Sequence, residues 1–443
     1  MNDRIESALA AATDTRELRL GPGAIRATAE VFRPPYGGFA GRPALVFADS
    51  NTFEAAGRSV LDVLRAAGLP VAEPVVLDDP DLHAHLDYAI RLEAILRQTD
   101  AIAVAVGSGT INDLAKLASH RAGRSYLVVA TAASMDGYTS FGASITSATA
   151  KETFYCPAPR AVVADLDVIA AAPPELNAAG YADLLAKTTA GADWILADAL
   201  GVEPVHRQAW SLVQDDLRQR VSDPEGVRHG DREAIANLTE GLLMGGFAMQ
   251  AAASSRPASG AEHQFSHLWD MQDHRHEGRI PYHGYKVGIG TLASARLYEW
   301  LFAAGIENLD VGAAADAWPD EAALERLIER THASPTLRAY ALQECRAKHL
   351  DRAALVRRLE RLKAIWPELR PRLQAQLLPS ETLRRMLRQV GAPVEPAEIG
   401  IDLPRFRRSH IEAQQIRRRY TVLDLATEAA LLPAYLDRRF RQA

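Results

Sequence analysis

Two histidines four residues apart, His263 and His267 in Ser259-Gly-Ala-Glu-His-Gln-Phe-Ser-His267, are followed by a third in His283-Gly284. Upstream, a lone acid, Asp183, interrupts the apolar run Ala178-Ala-Gly-Tyr-Ala-Asp-Leu-Leu-Ala186. One carboxylate and two or three imidazoles are a donor set for a hard-to-borderline divalent metal. On a helix, His263 and His267 share one face, a turn apart. A carboxylate facing a core needs compensation, and a metal supplies it. The pattern by itself leaves other readings open: a structural histidine pair, and an aspartate on a helix surface. His274 and His276 form a competing cluster, but Arg275 and the polarity around them suggest a solvated segment. His283, directly before a glycine and a return to helical spacing, is the better third ligand.

A second group of residues suits a phosphate. Gly107-Ser-Gly-Thr-Ile-Asn-Asp113 breaks an apolar strand-like run and opens a helical one. Glycines let a backbone approach a pyrophosphate, and a helix start offers N–H groups and a partial positive charge. It is neither a G-x-G-x-x-G fingerprint nor a P-loop, and a tight turn with no ligand would read the same. Asp49 ends an earlier strand, where an acid either accepts hydrogen bonds from an adenosine ribose or caps a helix. A hydroxyl-rich loop follows the next strand, Thr131-Ala-Ala-Ser-Met-Asp-Gly-Tyr-Thr-Ser140. In open parallel sheets, ligands bind beyond the carboxyl ends of the strands. Such a loop can equally satisfy only itself.

The elements that must position these residues alternate in the first part of the chain. Ala44–Asp49, Val75–Asp78, Ala101–Val106 and Tyr126–Ala130 read as strands, and the unbroken apolar runs among them suit a parallel sheet buried on both faces. Helical spacing fills the intervals, over roughly Thr52–Ala67, within Asp81–Gln98, and over Asn112–His120. Strand, helix, strand predicts a parallel sheet with right-handed crossovers. After Pro173-Pro174 strand-like runs fade and alanine- and leucine-rich helices take over. Two domains are therefore expected, an α/β domain over 1–172 and an all-α domain over 173–443, as the length of 443 residues also favours. The C-terminal part is rich in arginine, densest at Arg417-Arg418-Arg419. That cluster meets an anionic partner or forms a solvated helix face near Glu412 and Asp424; the negative overall charge favours the face.

Fifty basic and 56 acidic residues give a net charge of −6, too mild to argue for nucleic acid or an acidic membrane. Two cysteines, Cys156 and Cys345, cannot build a disulfide framework and fit a reducing cytoplasm. The first residues lack the basic start and apolar core of a secretory signal. No apolar run reaches the ~20 residues of a membrane span. A cytoplasmic protein is expected.

Five motifs, in order, resemble the sn-glycerol-1-phosphate dehydrogenases, in their bacterial AraM-type branch: the glycine turn 107–113, the hydroxyl loop 131–140, Ala179-Gly-Tyr-Ala-Asp183, Ser259–His267 and Ile416-Arg-Arg-Arg-Tyr-Thr-Val-Leu-Asp-Leu425. That branch lies in the superfamily of iron-containing alcohol dehydrogenases and dehydroquinate synthases. The resemblance implies a Rossmann-like nucleotide-binding α/β domain, a helical domain, and a site in the cleft between them. It implies metal ligation by Asp183, His263 and His283, and substrate contacts from His267 and Asp136. It implies nicotinamide-cofactor contacts from Asp49, Gly109, Thr110, Ile111, Asn112, Asp113, Thr131, Ser134 and Ser140. Ala133 stands where the family usually has proline, which softens the loop without removing a contact. The implied reaction is reversible hydride transfer between C2 of sn-glycerol 1-phosphate and NAD or NADP, with zinc, nickel or iron as the metal and zinc favoured. Asp49 argues for NAD, because a 2′-phosphate would face a carboxylate. The implied partners are a small phosphorylated polyol and further copies of the chain, as a homodimer or larger homo-oligomer. Other readings are a metal-dependent cyclase or lyase of the dehydroquinate synthase kind, a dehydrogenase for unphosphorylated polyols, and a non-catalytic nucleotide-binding protein.

Overall fold

The computed structural model describes residues 3–34, 39, 41–147 and 151–441. Eight strands are present among them: β1 (Glu17–Gly21), β2 (Ala44–Asp49), β3 (Val75–Leu77), β4 (Ile102–Gly107), β5 (Leu127–Ala130), β6 (Ala143–Thr146), β7 (Lys151–Phe154) and β8 (Ala161–Asp165). Six form one parallel sheet in the order β1-β8-β5-β4-β2-β3. β6 and β7 pair antiparallel in a separate hairpin. Every residue of β4, β5 and β8 is buried, as the unbroken Val and Ala runs require of strands covered on both faces. Phe47 of β2 stands beside Ala105 of β4, and Gly107 of β4 beside Ala130 of β5. The segments that leave β2, β4 and β5 therefore emerge at the same end of the sheet.

The expected strands are all present. Those not anticipated are β1, β8 and the hairpin. Asp165, at the end of β8, accepts from the amides of Gly23, Ile25 and Asp167 at 3.0 Å each, which ties the turn after β1 to the sheet.

The helices that bear on the site are α1 (Gly109–Arg121), α2 (Pro174–Leu185), α3 (Lys187–Ala199), α4 (Arg232–Ala252), α5 (Ala261–Met271), α6 (His283–Ala304), α7 (Leu403–Gln415) and α8 (Val422–Glu428). No strand follows Asp165 among the described residues. The remainder is helical, as the sequence led one to expect.

The chain forms two compact units. The first comprises Met1–Leu184, Arg207–Ala258 and Gln389–Gly391; the second comprises Leu185–His206, Ser259–Arg388 and Ala392–Ala443. Strands give way to helices after Asp165, and the first unit continues well into the helical part. The reason is local. α4 grips the hydroxyl loop, with Thr139 Oγ1 donating to Leu243 O (2.6 Å) and Gln250 Nε2 donating to Thr139 O (2.5 Å). Within the second unit, the buried rings of Phe265 and Phe406 touch each other and both touch Trp269 and His410.

No helix among the described residues is long and apolar enough to cross a membrane.

Candidate metal centre and cofactor loops

The glycine turn becomes the start of α1. Gly109 and Thr110 are half-buried. Asn112 N donates to Ser108 O (3.0 Å), so the first-turn amides left for a ligand are those of Gly109, Thr110 and Ile111. The side chains further along the span 109–113 are engaged within the fold. Ile111 and Asn112 are buried in the fold. The Asn112 amide group accepts from Tyr126 OH (2.8 Å) and donates to Gly137 O (3.3 Å). Asp113 accepts from Ser144 N (3.1 Å). This face of α1 organises the hydroxyl loop. Asp49 is likewise engaged as a helix cap: it accepts from Asn51 N (2.9 Å), Thr52 N (3.0 Å) and Thr52 Oγ1 (3.0 Å).

Sequence reasoning missed the centre of that organisation. Lys116, buried one turn beyond Asn112, donates from Nζ to Gly137 O (3.1 Å), Ser140 O (2.9 Å) and Gly142 O (2.9 Å). Burial lowers its pKa, and the nearby Asp113 carboxylate opposes that shift. A lysine in an apolar helix face was the available signal, since a buried ammonium requires partners. The loop is pressed onto α2 as well. A Cβ on Gly180 would stand 1.7 Å from Ala133 O, so only glycine permits this approach. Thr131 and Ser140 are buried in the loop, while Ser134 and Asp136 are half-buried. Asp136 N donates to Asp183 Oδ2 (3.1 Å), so the loop orients that carboxylate.

Asp183 is fully buried, in the last turn of α2. One ligand atom each from Asp183, His263 and His283 lies within 4.8 Å of the other two. The sequence-based trio is thus brought together. His263 sits in the first turn of α5 and His283 is the first residue of α6. Their rings are 5.3 Å apart, and His267 lies 6.2 and 6.3 Å from them. Close helix packing sets this spacing: a Cβ on Gly290 of α6 would stand 2.4 Å from Glu262 O of α5.

Each imidazole is held from behind. His263 Nδ1 lies 2.9 Å from Glu262 Oε1, and His283 Nδ1 lies 3.2 Å from Ser266 Oγ. Glu262 is fully buried, and also accepts from Gly260 N (2.5 Å) and Thr189 Oγ1 (2.9 Å). Burial opposes its ionisation, yet the hydrogen bond and charge of His263, with the Gly260 amide, outweigh that and hold its pKa below the usual value. An ionised carboxylate only accepts, so Nδ1 carries the proton and metal donation falls to Nε2. The donor set, its burial and these supports fit a divalent metal. Sequence reasoning passed over Glu262, although an acid adjoining a ligand histidine was there to read. His267 has its pKa held well below the ordinary value by burial, by Arg417, and by the two neighbouring imidazoles.

The competing histidines stand apart from this group. His274 is buried between Ile399 O (2.6 Å) and Arg405 (2.8 Å), where it has a structural role, and His276 is not among the grouped ligands.

The chain is similar to known proteins in sequence and in fold. The family model for iron-containing alcohol dehydrogenases matches residues 19–173. The glycerol-1-phosphate dehydrogenase [NAD(P)+] of Geobacillus thermodenitrificans is 32% identical over 88% of this chain and 87% of its own length. The chain belongs to the glycerol-1-phosphate dehydrogenase family. The enzyme of that name from Pyrococcus furiosus is 37% identical over 58% of this chain and 71% of its own. In fold, a probable glycerol dehydrogenase from Sinorhizobium meliloti superimposes with a TM-score of 0.59 at 19% identity, covering 97% of this chain and 98% of that one.

Proposed function

We propose that the protein interconverts sn-glycerol 1-phosphate and dihydroxyacetone phosphate by hydride transfer at C2, using NAD or NADP and one divalent metal. The observation that carries this reading is the convergence of Asp183, His263 and His283 within 4.8 Å in a chain of this family. When bound, the metal and the nicotinamide supply Lewis-acid polarisation of the C2 oxygen and a hydride acceptor.

The chain's own groups do the rest. Asp183, His263 and His283 hold the metal, with zinc the favoured ion. His267, kept neutral, accepts the proton of the C2 hydroxyl or fixes the substrate there, and Asp136 contacts the substrate from the hydroxyl loop. The amides that open α1 and the hydroxyls of Thr131, Ser134 and Ser140 receive the cofactor. The Asp49 carboxylate disfavours a 2′-phosphate, hence NAD over NADP. We further propose a homo-oligomer in the cytoplasm; the buried free thiols of Cys156 and Cys345 are in keeping with a reducing compartment.

The test is oxidation of NADH with dihydroxyacetone phosphate, before and after chelation. Metal-dependent turnover is expected. Absence of turnover with this ketone, alongside robust glycerol oxidation, would transfer the reading to an unphosphorylated polyol.

A further inference from the structure

The substrate proposed above carries a phosphate, and the metal ligands supply no cation to receive it. Within the second unit, three consecutive arginines follow α7. Arg418 is ion-paired with Glu344 (2.5 Å), and Arg419 Nη1 donates to Ser259 O (2.9 Å). Arg417 differs. Among the described residues, no hydrogen bond or ion pair engages its guanidinium. Nearby lysines are already taken, Lys348 by Asp424 (2.7 Å) and Lys286 by Asp270.

The backbone fixes where Arg417 sits. Lys348 Nζ donates to Arg417 O (2.7 Å). Gln264 Nε2 donates to Arg419 O (3.2 Å), and Thr421 Oγ1 to Gln264 Oε1 (3.3 Å). The 416–421 segment is thus laid along α5 beside Gln264, one helical turn before His267. His267, a turn further along α5, has its ring centre 6.2 and 6.3 Å from those of His263 and His283. Arg417 is half-buried and stands two residues before Arg419, whose backbone Gln264 of α5 holds. The expectation of a solvated helix face is corrected here, because the cluster lies outside a helix and two of its members are engaged by the fold.

We propose that Arg417 binds the phosphate of the substrate, a phosphomonoester dianion, and so selects phosphorylated over plain triose. This rests on the function proposed above. A guanidinium presents paired N–H donors that match two phosphate oxygens, which a point charge does not.

The test compares wild type, Arg417→Ala and Arg417→Lys with dihydroxyacetone phosphate and dihydroxyacetone, with inorganic phosphate as a competing anion. In Arg417→Ala, the ratio of kcat/KM for the phosphorylated over the plain ketone should drop about 10–100-fold, mostly through KM, with inhibition by phosphate weakened in parallel. Arg417→Lys should recover part of the ratio. An unaltered ratio in Arg417→Ala, or an equal fall with both ketones, overturns the assignment. A wild type that cannot reduce dihydroxyacetone phosphate instead overturns the function on which it rests.

Discussion

Replacing Glu262 with glutamine isolates one charge behind the metal site. The wild-type carboxylate takes His263 Nδ1 (2.9 Å) and Gly260 N (2.5 Å) on one oxygen and faces Thr189 Oγ1 (2.9 Å) with the other. Thr189 Oγ1 also lies 2.9 Å from Ala186 O and has a single proton to give. A glutamine can keep its carbonyl toward His263 and Gly260 and donate its amide to Thr189, whose proton then goes to Ala186. Every hydrogen bond survives and only the negative charge is removed. The imidazole loses basicity, which for such partners weakens metal affinity by about 10–100-fold, or roughly 1.4–2.7 kcal/mol. Competition against a chromophoric chelator measures the zinc dissociation constant, and urea unfolding of the apoprotein measures the fold. Weaker zinc binding is expected with apoprotein stability within about 0.5 kcal/mol of wild type. Wild-type affinity in Glu262→Gln would refute the claim that this carboxylate tunes His263. Lost affinity together with lost stability would mean that the glutamine does not fit as argued.

Four further outcomes follow from the same geometry. His263→Ala should abolish metal content and turnover while far-UV circular dichroism is retained; full zinc stoichiometry in that variant refutes the ligand set. Gly290→Ala drives a methyl against Glu262 O and should cost about 1–3 kcal/mol in urea unfolding, with weaker zinc binding, whereas a neutral effect on both would mean that the α5–α6 spacing is slack. Lys116→Met leaves three buried carbonyls without their donor and should cost about 3 kcal/mol and raise the KM for NADH; equal denaturation midpoints would discard the clamp. His410, fully buried, has its pKa lowered from 6.5 to about 4 by burial. The unfolded chain takes up that proton first, so its contribution is present above pH 6.5 and fades toward pH 4, by about 3 kcal/mol in all. Unfolding of His410→Phe should show that much less pH dependence across this window, and parallel curves for the two proteins would exclude it.

The parts of the fold that could be read from the sequence are those whose signal is local. β2, β4 and β5 declare themselves as apolar runs ended by an acid, a glycine turn or a hydroxyl loop. β8 carries the same signal in Ala161-Val-Val-Ala-Asp165 and was overlooked, whereas β1, Glu-Leu-Arg-Leu-Gly, has only one buried residue and looks like a polar loop. Its strand character comes from pairing with β8, and pairing between distant segments leaves no mark in a local window. The same division holds at the site. Asp183, His263 and His283 were recognisable by residue type and spacing. The roles of Asn112, Lys116 and Glu262 depend on which backbone groups face them, and that is decided by tertiary packing. Arg417 was legible as a charge, but its difference from Arg418 and Arg419 exists only once their partners are in place.

The distance along the chain between β1 and its neighbour has a consequence for biogenesis. Thr15, just before β1, donates to Pro159 O, 144 residues later. A ribosome adding about 5–20 residues per second needs roughly 7–30 s to deliver that partner. For roughly the last 2–6 s of this interval, after β5 is made and before β8 follows, the flank of β5 where β8 docks lacks its neighbour, an apolar edge of the kind that invites strand addition from other chains. Slow translation or rare codons between these points would prolong that window, so the yield of native enzyme in a heterologous host should depend on elongation rate and on chaperones that shield nascent chains.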